Sequence, residues 1–128
     1  MYAMVDALPN VLSSINQFYM AGLMTSAMAL IELVVMGSMY PNRRRNIIIL
    51  GLSSLIFLGM WGGIRYQTFV TDGQFLRSMI PHHAGAILMC QNSQITDPEI
   101  QSLCANIIKG QQTEINWMHE KLNQEKDL

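Results

Sequence analysis

The sequence predicts an all-α protein made of two helical hairpins, the first embedded in a membrane and the second outside it. Three observations carry this. Half of the 128 residues are hydrophobic and only 13% are charged, against about 25% charged in an ordinary soluble domain. Two long apolar runs open the chain, separated by three consecutive arginines. Beyond them, apolar residues recur at helical spacing, with no strand-like alternation and no internal repeat. The net charge of −1 excludes the broad basic face that nucleic acid requires.

Residues 1–15 read as a mild amphipathic lead-in broken by Pro9, without the basic start and cleavage site of a signal peptide. The first apolar run, Phe18 to Met39, matches the length needed to cross a hydrocarbon core of about 30 Å. Pro41-Asn42-Arg43-Arg44-Arg45 ends it, and a second run follows from Ile47 to Ile64. The expected anchor is residues 1–69, with spans at about 17–40 and 46–66. Short loops rich in Lys and Arg stay cytoplasmic, so both termini are expected on the outer side.

The second part, residues 70–128, is expected to form helices at about 73–92 and 98–122. Thr71 and Gln74 have capping-box spacing before the first. Pro81 lies inside it and removes the hydrogen bond to the Arg77 carbonyl, which predicts a kink before His82 and His83. For the second, Thr96 is the expected cap, with Pro98 in the first turn and Glu99 completing the box. The tail from Asn123 is expected to fray.

Folding these two helices antiparallel places residues level when their numbers sum to about 194. His83 then faces Gln111, Ile80 faces Glu114, Leu76 faces Met118 and Cys90 faces Cys104. His82, His83, Gln111 and Glu114 gather at one level near Met79 and Met118, and the two cysteines at another. Imidazole and thioether together favour copper, above all Cu(I), whereas imidazole with carboxylate also suits zinc or iron. Each residue has a plainer reading. Methionines at helical spacing usually fill cores, and Glu114 alone is a solvated helix charge. The cysteines are either buried thiols or a disulfide. It is the joint placement that raises metal binding above these. In the first span Met20, Met24, Met28, Glu32, Met36 and Tyr40 recur at steps of four. A carboxylate within a span is costly and reads as functional, so Glu32 is a candidate for ion passage, or is bonded to Ser53, Ser54 or a neighbouring subunit.

The segment from Phe75 through Met79, His82, His83 and Met89, followed by Gln111, Glu114-Ile115 and Met118, resembles the bacterial "domain of unknown function 305" family over about residues 72–119. The resemblance implies a ferritin-like, all-helical domain. It implies copper binding in the periplasm, and a branch carrying two N-terminal membrane helices. The metal ligands it implies are Met79, His82, His83, Met89, Glu114 and Met118. Gln111 also matches the family pattern, while Cys90, Cys104, His119 and Glu32 are further candidates on this sequence's own pattern. A ferritin-like bundle needs four helices and this part has two, so a homodimer, or a higher homo-oligomer, is expected to complete it, the alternative being that the membrane helices continue outward to do so. The expected function is copper buffering, tolerance or handover at a bacterial inner membrane. The alternative is an accessory subunit whose hairpin docks onto itself or a membrane protein without metal. Enzyme activity is not expected: di-iron chemistry uses two Glu-x-x-His motifs, and none occurs here.

Overall fold

A computed structural model describes residues 5–126 of the chain. Among them are four α-helices and no strand: α1 (Ile15–Met36), α2 (Arg43–Tyr66), α3 (Asp72–Asn92) and α4 (Pro98–Lys126). Short 3-10 turns occupy Leu8–Asn10 and Gly37–Met39. The all-α expectation therefore holds. The chain divides into two compact units, one comprising α1 and α2 (residues 15–70), the other the N-terminal segment together with α3 and α4.

In the first unit α1 and α2 pack as an antiparallel pair. Small residues line their contact: Ser26, Ser53 and Gly63 are buried. Gly63 lies against the Tyr19 ring, where an added Cβ would come within 3.0 Å. The large apolar side chains point outward instead, with Met24, Val34, Leu55 and Leu58 all more than 60% exposed. Ile15–Met39 and Arg43–Tyr66 are each long and apolar enough to cross a membrane. The three arginines lie within α2 rather than in the preceding turn. Asn42 caps the helix, its side chain accepting from the Arg45 amide at 3.1 Å. This cap satisfies an end that positive charge alone would destabilise through the helix dipole.

In the second unit α3 and α4 form an antiparallel hairpin around Leu76, Ile80, Ala84, Ile87, Ile115, Met118 and Leu122. α3 continues through Pro81, which is itself buried. Thr71 is at the N-cap position of α3 but accepts no capping hydrogen bond through its side chain. At α4 the cap is Asp97, not Thr96: its Oδ1 accepts from the Glu99 and Ile100 amides at 2.8 and 3.2 Å. Pro98 at the first helical position favours an extended conformation for the residue before it, and that residue is the aspartate. The tail expected to fray stays helical to Lys126, because Leu122 seats the last turns in the core. The N-terminal segment also belongs here rather than with the apolar hairpin. Val5 and Leu12 pack on the core and Asn10 is buried.

Candidate metal centre

Helical spacing on α3 sets the geometry. His83 is one turn beyond Met79, and its Nδ1 lies 3.0 Å from the Met79 carbonyl oxygen. A carbonyl only accepts, so Nδ1 carries the proton and Nε2 becomes the outward-facing nitrogen. That Nε2 lies 2.8 Å from Glu114 Oε2 on α4. The imidazole is largely enclosed, at 13% exposure, while the carboxylate is 61% exposed. The 2.8 Å separation is hydrogen-bond distance, and a cation held by both groups would displace any proton they share, as metal binding does at its ligands.

The equal-height pairing expected Gln111 opposite His83, and the side chain that reaches it is Glu114, one turn further on. The reason is the tilt of side chains toward the N-terminus of their helix. His83 leans away from the connecting turn and Glu114 leans toward it, which closes a stagger of about one turn. Gln111 lies on the same stretch of α4, and its Oε1 is buried with no hydrogen-bond partner among the described residues. His82 is exposed beside His83, their ring centroids 6.0 Å apart and their planes inclined at 62°.

The other candidates are spread more widely. Met79 is half-buried against the core, one turn from both histidines. Met118 is a core residue at 5% exposure. Met89 is exposed two turns from His82, about 10 Å along the helix. Cys90 and Cys104 form a disulfide with Cα atoms 5.3 Å apart, leaving no thiolate to bind metal. His119 is turned to the N-terminal segment, where its Nε2 donates to Asn10 Oδ1 at 3.0 Å. Asn10 in turn donates to Asp6 at 2.8 Å. The spacing arguments missed this chain, because no periodicity links position 10 to position 119. No group of three or more His, Cys, Asp or Glu side chains among the described residues is already placed to hold a metal ion together.

Glu32, in the apolar unit, is bonded to neither Ser53 nor Ser54. It accepts from the Tyr40 hydroxyl at 2.6 Å, while Ser54 donates to the Leu50 carbonyl. Glu32 and Tyr40 flank a cavity of about 190 Å³ with Asn46 and Ile49.

The family model described as "Domain of unknown function (DUF305)" matches residues 65–122. A relative, "Uncharacterized protein L153" of Acanthamoeba polyphaga mimivirus, is 36% identical over 114 residues, covering 88% of this chain and 73% of its own length. The chain belongs to the DUF305 family. No solved structure matches it. The DUF305 match takes in His82, His83, Gln111 and Glu114, together with the disulfide, and leaves Glu32 outside.

Proposed function

We propose that this DUF305 protein is a membrane-anchored metal-binding protein that takes up copper outside the membrane for buffering, tolerance or handover. The observation that carries the reading is the His83 ring. Its Nδ1 is held by the Met79 carbonyl and its Nε2 is presented to the Glu114 carboxylate. A backbone hydrogen bond on one imidazole nitrogen is how metal-binding histidines are oriented for coordination through the other. His83 and Glu114, already in contact, would be the first ligands, and the imidazole of His82 and the thioether of Met79 would turn toward them to complete the set. Gln111 Oε1 is an acceptor for water bound to the ion. Copper is preferred because imidazole and thioether lie on one helix turn. The ion is cargo here, held and released.

Two features support the placement. The outward-facing apolar side chains of α1 and α2 suit lipid better than water. The Cys90–Cys104 disulfide suits an oxidising compartment. With the arginines of α2 on the cytoplasmic side, the C-terminal unit lies opposite them, in the periplasm if the membrane is bacterial.

Elemental analysis of protein purified from its membrane without added metal is the deciding measurement. Bound copper is expected at a fixed ratio and should disappear in the His82→Ala, His83→Ala double variant. Unchanged copper in that variant would rule this centre out. A metal-free docking hairpin is the competing reading, favoured by the large apolar side chains exposed on α3 and α4. Metal-free protein from cells supplied with copper would support it.

A further inference from the structure

Each helix of the C-terminal hairpin carries a second row of residues beside its core row. On α3 the row is Phe75, Met79, His82, Ala86 and Met89, spaced by four, three, four and three. On α4 it is Ile100, Leu103, Ile107, Gly110, Glu114 and Trp117, spaced by three and four in alternation. An average of 3.5 is the repeat of a helix-packing seam. Row residues immediately precede residues turned toward the partner helix: Phe75 precedes Leu76, Met79 precedes Ile80, Ile107 precedes Ile108 and Trp117 precedes Met118. Each row is therefore displaced from the contact line by one residue, about 100°. Viewed from one end, antiparallel helices wind in opposite senses. Equal displacements then fall on the same side of the hairpin, where Glu114 reaches His83.

This side carries apolar side chains at both ends and polar ones between them. Among the described residues, every large hydrophobic side chain exposed on α3 and α4 belongs to one of the two rows. Phe75, Met89, Ile100, Leu103 and Trp117 are 48–57% exposed. Gly110 has open space beside it, which allows close backbone approach. The middle of the face is polar, with His82 and Glu114 at the height of the His83 contact. We propose that a second copy of this chain docks here, hairpin against hairpin about a two-fold axis parallel to the helices. Such an axis sets α3 of one copy over α4 of the other at equal heights. His82 of each copy then meets Glu114 of the other, a complementary pairing on a self-complementary surface. The apolar residues close above and below. Resting on the metal-binding reading, the inference also completes the centre, since one hairpin supplies two imidazoles and one carboxylate and the second supplies an equal set.

The test uses the full chain in detergent micelles, with mass measured by light scattering, first with chelator and then with copper alone as the probe. A dimer is expected in chelator. The Leu103→Glu, Trp117→Glu variant should be monomeric with unchanged helical circular dichroism, and its copper affinity should fall at least about tenfold. Met89→Glu, at the far end of the other row, should raise the dimer dissociation constant at least about tenfold even if the double variant fails to fold. A wild-type monomer at all concentrations overturns the proposal. So does a dimer that persists in both variants, because the contact then lies elsewhere. A monomer that binds copper as tightly as the wild type overturns the interface and leaves the metal-binding reading standing. The expected dimer without copper binding overturns that reading and leaves the interface standing.

Discussion

At the scale of single residues, two buried or half-buried polar contacts have different consequences. The His83–Glu114 contact ends on an exposed carboxylate, so it contributes little to stability even though it organises the centre. Glu114→Gln should change the unfolding free energy by less than about 1 kcal/mol in chemical denaturation while weakening copper binding at least about tenfold. Asn10 is the opposite case. It is buried and joins Asp6 to His119. Asn10→Ala should cost about 1–3 kcal/mol in the same measurement, because two polar partners lose their bond. Copper binding should remain, since this chain of bonds lies apart from His83.

At the scale of elements, the hairpin of α3 and α4 relies on a thin core and one covalent tie. Ile80, Ile87 and Ile115 are the large side chains that are fully buried. The disulfide closes a loop between positions separated by 14 residues, next to the turn. Closing a loop of that size restricts the unfolded chain by about 3 kcal/mol. Reduction should therefore lower the melting temperature of the C-terminal unit, followed by circular dichroism, without loss of helix at low temperature. If melting is unchanged by reductant, the core rather than the bridge closes the hairpin. Some of this was legible in advance. Equal-height pairing set Cys90 opposite Cys104. The same rule missed Glu114 because it counts backbone positions and ignores the tilt of side chains. The cap moved from Thr96 to Asp97 because a proline at the first helical position decides which residue precedes the helix.

At the scale of the whole molecule, the division of labour lies between an apolar pair of helices and an amphipathic pair. The arginines of α2 begin a helix against its dipole, an unfavourable place unless a cytoplasmic or anionic surface compensates. Replacing Arg43, Arg44 and Arg45 with serine should scramble the orientation of the anchor. Protease added outside sealed cells should digest the C-terminal unit in the wild type and leave a protected fraction in the variant.

The sequence alone determined the all-helical class, the two apolar runs, the turn between α3 and α4 and the His-His element, because each depends on local periodicity and breaker residues. The tertiary structure decided which side chains meet. It turned His83 toward Glu114 and paired the cysteines. It also drew His119 away to Asn10 and brought the N-terminal segment onto the C-terminal core. These contacts depend on helix phase, side-chain tilt and the return of a distant segment, which no local spacing records.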